Sequence, residues 1–219
     1  NMKKVAVILS GSGVYDGAEL QEAIVTLLSL DRAGVQAVCF APNIEQHHVI
    51  NHLTGEEDLT ASRNVLEEAA RINRGDVQDL SSCVASNFDG IVVVGGFGVA
   101  KNLSDFAFNG AQSTVNGIAL NVLKEFGQLS RPALYMCIAP ALLPAVYGKG
   151  IELTIGNDPA TVEAIESMGG IHIERGVEGI VVDEVHQVIS TPAYMLAQSI
   201  SQAATGIENG VTQLVKMMA

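Results

Sequence analysis

Short apolar runs rich in β-branched residues alternate with longer segments of helical periodicity along this chain of 219 residues. The strand-like runs cover residues 3–10, 36–40, 90–94 and 132–137. The helical patterns cover residues 18–33, 62–72, 112–129, 139–146 and 161–168, with a last helix from residue 193 towards residue 206. Strand–helix alternation predicts a mostly parallel sheet, and right-handed crossovers then place helices on both of its faces. We therefore expect an α/β fold of three layers, an α/β/α sandwich, with ligands at the carboxyl ends of the strands.

Two segments depart from this simple alternation. Residues 179–183 and 187–191 flank Glu184-Val185-His186, a pattern that predicts a hairpin at the edge of the sheet with His186 in its turn. The segment at about 42–75 is longer than an ordinary connection and predicts an insertion with its own helix beside the strand ends. Because the chain contains no repeat, linker or low-complexity tract, residues 2–219 are expected to form a single domain.

The charge of the chain argues against several classes of partner. With 12 Lys and Arg against 24 Asp and Glu, its formal net charge of -12 repels nucleic-acid phosphates and anionic lipid. No run approaches the roughly 20 apolar residues of a membrane span, and the start of the chain lacks a signal-peptide pattern, which predicts a cytoplasmic protein. Three widely spaced cysteines match neither a disulfide framework nor a zinc site, so we expect a reducing compartment and no metal.

Cys137 is the strongest candidate for chemistry. It follows the strand-like run 133–136, and Pro140 behind it suits the first turn of a helix. In such a nucleophile elbow the free N–H groups and the helix dipole favour the thiolate, and the same amides can hold an oxyanion. The alternative is a buried cysteine that packs as a small hydrophobe. By the same reasoning Cys39 belongs to the core, and Cys83 is structural or loosely exposed.

Two loops rich in glycine follow predicted strands. Gly95 and Gly96 end the run 92–94, where they let backbone approach a substrate and present N–H groups to an anion, although a tight turn explains them equally well. The loop 11–17 is only superficially similar to a dinucleotide-binding loop. Its spacing is not the G-x-G-x-x-G fingerprint, and the end of the second strand, 39–43, lacks the acidic residue that would bind a ribose.

Glu19 and Glu22 lie in the first turns of the helix 18–33, where carboxylates are favourable whatever the function. The apolar face of that helix consists of Leu20, Ala23, Ile24, Leu27 and Leu28. Glu22 falls outside this face, so periodicity alone predicts a solvated side chain.

The histidines carry little catalytic signal in the sequence. His47, His48 and His52 cluster in the insertion without a metal-binding motif, so we expect them in a surface or site-lining loop. His172 begins a short strand-like pair and could face the site, although no neighbouring residue indicates that it does.

Taken together, these residues resemble the DJ-1/PfpI branch of the class I glutamine-amidotransferase-like superfamily. The similarity is carried by three motifs: Gly17-Ala18-Glu19-Leu20-Gln21-Glu22, Val94-Gly95-Gly96-Phe97-Gly98 and Met136-Cys137-Ile138-Ala139-Pro140. Within that branch, the segments 8–11, 14–17, 51–55, 63–66, 101–103 and 191–195 are similar to the ElbB group, also called isoprenoid biosynthesis glyoxalase or enhancing lycopene biosynthesis protein. The resemblance covers nearly the whole chain and implies a flavodoxin-like sheet.

The resemblance also implies a role for each of four residues. Cys137 would be the nucleophile, Glu22 would hydrogen-bond it, and the backbone amides of Gly96 and Ile138 would form the oxyanion hole. This assignment moves Glu22 from the solvated surface into the site, against the helical periodicity. Amidotransferases and peptidases of the superfamily also need a histidine base, but Ile138 follows the cysteine here and the segment 154–158 has no histidine. A full Cys-His-acid triad is therefore not expected.

The function implied by the resemblance is that of a slow, cofactor-independent glyoxalase. Such an enzyme converts glyoxal or methylglyoxal into the hydroxy acid through a hemithioacetal on Cys137. Two alternatives belong to other classes: a regulatory or redox-sensing protein that binds a metabolite or is oxidised at Cys137, and an NAD-type binding module. Family habit and the apolar composition further imply a homodimer.

Overall fold

Eleven strands and eight helices make up the computed structural model, which describes residues 2–218. The strands are β1 (Lys4–Ile8), β2 (Gln36–Ala41), β3 (Ile50–Asn51), β4 (Glu56–Glu57), β5 (Val77–Asp79), β6 (Gly90–Val93), β7 (Ala133–Met136), β8 (Glu152–Leu153), β9 (Ile171–His172), β10 (Val181–Asp183) and β11 (Val188–Thr191). The helices are α1 (Leu20–Arg32), α2 (Val65–Ala70), α3 (Phe97–Lys101), α4 (Phe106–Asn109), α5 (Gly117–Gln128), α6 (Leu143–Tyr147), α7 (Pro159–Ser167) and α8 (Ile200–Met217). Ala219, the last residue of the predicted domain, lies outside the described residues.

The main sheet has seven strands in the order β10-β11-β7-β6-β1-β2-β5. Every neighbouring pair is parallel except β10 and β11. The central strands β1, β6 and β7 are apolar runs that are buried apart from Lys4, because helices cover both faces of the sheet. The predicted parallel sheet with an antiparallel edge hairpin is thus confirmed, and His186 lies in the turn of that hairpin with its Nδ1 3.1 Å from Asp183 Oδ1.

Alternate side chains of the central strands contribute to two separate cores. Val7 of β1 faces one helical layer, where Leu30 of α1 and Leu214 of α8 belong to the same cluster of buried residues. Ile8 of the same strand faces the opposite way and packs in the cluster that contains Phe126 of α5. Because neighbouring residues of a strand point to opposite faces, one short strand supports both layers. The predicted α/β/α sandwich is confirmed.

The last helix differs from its prediction at both ends. Residues Ala193–Met195 form a separate 3₁₀ turn, and α8 begins only after Ser199, whose side chain caps it. The helix continues to Met217, because Gly206 does not end it. This glycine instead packs against the backbone of the segment at Val177. A Cβ at Gly206 would lie 2.3 Å from Val177 O, so only glycine permits this close approach.

The segment 42–75 contains an antiparallel pair, β3 and β4, and the helix α2. Asp16 Oδ2 accepts a hydrogen bond from Ile50 N at 2.8 Å, which ties this segment to the loop 11–17. α2 and α5 are shorter than predicted, because Asn64 and Asn116 cap their first turns. The strands β5 and β8 were not predicted, whereas β9 overlaps the strand-like pair that begins at His172. Among residues 2–218, no helix combines the length and the apolar character that a bilayer span requires.

Candidate active site

Cys137 lies directly after β7, in the sharp turn that the sequence predicts. Its φ of 62° is in the left-handed region, which a residue other than glycine adopts only when its surroundings enforce it. Its backbone N–H donates to Thr191 O at 3.0 Å, which fixes the turn to β11. The side chain therefore projects from the carboxyl end of the sheet, and only 8% of its surface is exposed.

The helix behind Cys137 differs from the prediction. Residues Ala139–Leu142 form a 3₁₀ turn, and α6 follows with only five residues. Proline at two positions of this stretch, Pro140 and Pro144, removes N–H donors, so a regular helix dipole behind the sulfur is weaker than the sequence implied. Instead, the backbone N–H groups of Gly96 and Ile138 lie close enough to the sulfur to lower the pKa of the Cys137 thiol. The two amides expected at an oxyanion hole are therefore both beside Cys137.

Glu22 is completely buried, although the helical pattern predicts a solvated residue. It occupies the first turn of α1, where the side chain of Glu19 caps the helix by accepting from Glu22 N at 2.6 Å. One carboxylate oxygen, Oε2, accepts from Tyr194 N at 3.2 Å. The other, Oε1, is buried without a full hydrogen bond and faces the Cys137 thiol. The carboxyl group thus has one oxygen held by the backbone and one available to the sulfur.

Gly95 explains how Glu22 and Cys137 come so close. A Cβ at this position would lie 2.4 Å from Cys137 Cβ and 2.4 Å from Glu22 Oε1. The cysteine Cβ and the carboxyl oxygen therefore lie on either side of the space that a side chain at position 95 would fill. Gly95 O also accepts from Glu19 N at 3.0 Å, which holds the start of α1 against the glycine turn. The missing side chain of Gly95 therefore creates the space in which the acid and the thiol meet.

Burial changes the acidity of both groups. Removal from water raises the pKa of Glu22 to about 8, so at neutral pH this carboxyl group keeps its proton. Burial, followed by the negative charge of an ionised Glu22, raises the pKa of the Cys137 thiol, whereas the amides of Gly96 and Ile138 lower it. The net direction is upward, opposite to the effect of a helix terminus alone. While Glu22 is protonated, however, it carries no charge that would oppose thiolate formation. Its proton is then available to the sulfur.

The sulfur opens onto a cavity of about 530 Å³ at the carboxyl ends of the strands. Its lining is mostly apolar and consists of Val14, Glu19, Gly96, Phe97, Ala100, Phe106, Ala107, Cys137, Ile138, Asp158, Thr161, Tyr194 and Met195. Cys39 and Cys83 are both buried in the two cores, where burial raises the pKa of each to about 12. Of the three cysteines, only Cys137 therefore combines a cavity with nearby amide donors.

None of the five histidines lies among the cavity-lining residues of the described chain. His172, which the sequence left open, accepts from Ile155 N through Nε2 at 3.1 Å and so supports a loop. His52 stacks on Tyr15 with ring centroids 4.8 Å apart and accepts from the Tyr15 amide. His47 and His48 pack around an exposed aromatic ring, and residues 2–218 contain no cluster of three or more metal-ligating side chains.

The loop 11–17 packs against the glycine turn through its carbonyl groups. Phe97 N donates to Val14 O at 2.8 Å, and Gly98 N donates to Gly17 O at 2.8 Å. A Cβ at Gly17 would lie 2.4 Å from Ser12 N, so this glycine is required for packing. The geometry gives these glycines a structural role and offers no support for the dinucleotide-binding alternative.

Two residues of the site were not singled out from the sequence. The amide of Tyr194 reaches Glu22 because Ala193 adopts a φ of 45°, again in the left-handed region. Asp158 caps α7 by accepting from Thr161 N at 3.1 Å, and its side chain also lines the cavity. Each appears in the sequence as an ordinary loop or cap residue, and only the meeting of β11 and α7 with the elbow brings them to the site.

Gly96→Ala is expected to lower the free energy of unfolding by about 2–4 kcal/mol. A Cβ at Gly96 would lie 2.4 Å from both Glu19 N and Gly17 O, and its φ of 103° adds backbone strain. Gly34→Ala is the control, because Gly34 has a φ of 73° but no atom within 4 Å of the added carbon. Strain alone should cost about 1 kcal/mol there. Equal midpoint shifts in chemical denaturation would show that the close approach at Gly96 is unimportant.

Comparison with known proteins places this geometry in a family, although no family model matches the chain. The mitochondrial ES1 protein homolog of Rattus norvegicus is 40% identical over 223 residues, which cover 98% of this chain and 84% of that protein. The crystal structure of an isoprenoid biosynthesis protein with an amidotransferase-like domain from Ehrlichia chaffeensis is 35% identical, with a TM-score of 0.92, and the match covers 99% of this chain and 100% of that chain. At 18% identity, DJ-1beta of Drosophila melanogaster shares the fold, with a TM-score of 0.59 over 99% of this chain and 96% of that chain. The predicted family is confirmed: the chain belongs to the group of ES1 proteins and isoprenoid biosynthesis proteins with an amidotransferase-like domain, and it shares its fold with DJ-1 proteins.

Proposed function

We propose that this protein is a cofactor-independent glyoxalase that converts small 2-oxoaldehydes such as glyoxal and methylglyoxal into 2-hydroxy acids. The observation that carries the proposal is the buried pair of Cys137 and Glu22: the Cys137 side chain lines a cavity beside the amides of Gly96 and Ile138, and Glu22 lies behind it. A nucleophile, a proton carrier and an oxyanion site are the three groups that this reaction needs.

The reactive form of the pair carries one proton, on Glu22, after the Cys137 thiol has released its own proton to water. In the first step the Cys137 thiolate attacks the aldehyde carbon, C1. The new S–C1 bond forms while the carbonyl electron pair moves onto the C1 oxygen, beside the amides of Gly96 and Ile138. That oxygen then receives the proton that Glu22 holds at neutral pH, which gives a neutral hemithioacetal and leaves Glu22 as a carboxylate. The raised pKa of Glu22, about 8, suits a group that must both donate and accept a proton near neutrality.

The second step transfers a proton from C1 to C2. Glu22 takes the C1 proton, the electron pair forms an enediolate, the hydroxyl proton of C1 passes to the C2 oxygen, and Glu22 returns its proton to C2. C1 is thereby oxidised to a thioester and C2 is reduced to a secondary alcohol, or a primary one with glyoxal, so no external oxidant or reductant is needed. Water then attacks the thioester, and the hydroxy acid leaves as the Cys137 sulfur is released.

Two features favour this chemistry over the glutaminase or peptidase reactions of related proteins. Those reactions need a histidine base, whereas Ile138 follows the nucleophile and none of the cavity-lining residues is a histidine. Proton transfer without an imidazole is expected to be inefficient, so the proposed enzyme is slow.

The test is a turnover assay on the purified protein with glyoxal and no added cofactor. Glycolate formed in large molar excess over protein is the expected result. Protein whose thiols have been alkylated beforehand is the control and should form none. Consumption of glyoxal limited to about one equivalent per chain, without glycolate, would instead assign the cysteine to metabolite binding or regulation.

A further inference from the structure

The cavity in front of Cys137 has an uneven distribution of charge and apolar surface. Its apolar side chains include two aromatic rings, Phe97 and Phe106, together with Met195 and Ile138. Its carboxylates are Glu19 and Asp158, and none of its lining residues in the described chain is Lys, Arg or His. A site with this lining attracts apolar groups and repels anions.

Asp158 is a carboxylate at the cavity wall whose charged form is stabilised by Thr161. The hydroxyl of Thr161 donates to Asp158 Oδ2 at 2.6 Å and the Thr161 amide donates at 3.1 Å, and both bonds lower the pKa of Asp158. Glu19 is half-buried, and burial raises its pKa. Glu19 and Asp158 are thus the two acidic groups of the cavity wall, and the Thr161 bonds stabilise the charged form of Asp158.

Lys101 is the cation to consider beside this cavity. Its ammonium group lies 5.2 Å from the centroid of the Phe97 ring and donates to Tyr15 O at 2.8 Å. It is absent from the cavity lining, and burial lowers its pKa. One of its three N–H donors is engaged with backbone and it lies outside the cavity lining, so it supplies no built site for an anionic substrate.

The cavity is also larger than the smallest 2-oxoaldehydes require. A volume of about 530 Å³ is in the range that holds a drug-sized ligand. Methylglyoxal has a single methyl group beyond its two reacting carbonyl groups and would leave most of this space to water. A longer apolar substituent on C2 would displace that water from Phe97, Phe106 and Met195, which is favourable in proportion to the area covered.

We infer that the preferred substrates are 2-oxoaldehydes with an uncharged apolar substituent larger than methyl, and that Asp158 discriminates against substrates whose substituent carries a carboxylate. The inference rests on the proposed function, because it assigns the occupant of the same cavity. The same charge also favours departure of the product, since the reaction creates a carboxylate inside a cavity that repels it.

The experiment compares kcat/KM for three aldehydes that share the reacting carbonyls. They are methylglyoxal, isopentylglyoxal and carboxyethylglyoxal, of which the last carries a carboxylate where isopentylglyoxal carries an isopropyl group. Each value is divided by the rate constant of the same aldehyde with a free thiol, which removes differences in intrinsic reactivity. We expect isopentylglyoxal to exceed methylglyoxal by about tenfold or more, and carboxyethylglyoxal to fall about a hundredfold or more below isopentylglyoxal.

Two matched variants assign the discrimination to its residue. Asp158→Asn keeps a residue that can cap α7 but removes the charge, so the ratio of carboxyethylglyoxal to isopentylglyoxal should rise roughly three- to tenfold. Asp79→Asn is the control: Asp79 likewise accepts from a following amide, that of Ser81 at 2.9 Å, but lies on the far edge strand β5. In Asp79→Asn the ratio should not change.

The outcomes separate this inference from the proposed function. Turnover of methylglyoxal with kcat/KM equal to or above that of isopentylglyoxal would leave the glyoxalase assignment intact and overturn the inference. An unchanged ratio in Asp158→Asn would overturn the role of that residue. Turnover of none of the three aldehydes would overturn both the proposed function and the inference.

Discussion

Cys137→Ala should lower kcat/KM for methylglyoxal by at least about a thousandfold, because without the sulfur no covalent intermediate can form. Alanine keeps the Cβ of cysteine, so the left-handed backbone at position 137 meets the same steric conditions as before. The elbow should therefore keep its shape, and circular dichroism and the denaturation midpoint serve to verify that the fold is retained.

Cys83→Ala is the matched control for this substitution. Cys83 is also buried, at 4% exposure against 8% for Cys137, but it belongs to the core on one face of the sheet and lines no part of the cavity. Its loss should cost stability through a small cavity while kcat/KM stays near the wild-type value. Undiminished turnover in folded Cys137→Ala would remove the cysteine from the reaction and with it the proposed mechanism.

Glu22→Gln is expected to slow turnover by about a hundredfold or more, the scale of general acid–base catalysis. Glutamine has nearly the same shape and can still accept from the Tyr194 amide, but it can neither give a proton to the C1 oxygen nor take one from C1. Glu67→Gln is the control, since Glu67 is an exposed acid in the first turn of α2, a position similar to that of Glu22 in α1. Steady-state kinetics on both variants measure the difference.

The same substitution should make the protein more stable. The pKa of Glu22 is about 8 in the folded chain against an ordinary value of 4.5, so the folded state binds more protons than the unfolded state between these values. The wild-type free energy of unfolding therefore falls as the pH rises through this window, and the loss persists above it. Glu22→Gln removes this loss and should raise the free energy of unfolding by up to about 3 kcal/mol at neutral pH, with no gain in acid below the ordinary value.

A loss of activity together with a gain in stability distinguishes a buried functional acid from a surface residue. A solvated glutamate in a first helical turn would change stability by only a few tenths of a kcal/mol when replaced, and would leave turnover unchanged. Wild-type turnover and unchanged stability in Glu22→Gln would contradict the pairing of Glu22 with Cys137, and the thiol would then lack an identified proton partner.

Helix α1 illustrates where pattern and structure disagree. Its periodicity assigns Leu20, Ile24 and Leu28 to the core, yet these side chains are 43%, 49% and 42% exposed, whereas Glu22 is fully buried. A helical pattern identifies the more apolar face of a helix, but it carries no information about which side the rest of the chain covers. Near the start of α1, Gly95 and Tyr194 pack against the Glu22 side chain and bury it.

The layered architecture and the position of Cys137 at the elbow follow from the sequence, because both depend on local patterns. Apolar strands that alternate with helices leave few topologies, and a cysteine directly after a buried strand must lie at the sheet's carboxyl edge. The surroundings of Cys137 depend instead on tertiary packing. Glu22, Gly95 and Tyr194 come from three distant parts of the chain, and the burial that raises the pKa of Glu22 exists only when all three meet at the elbow. Desolvation and close approach are properties of packed atoms, so no local pattern encodes them.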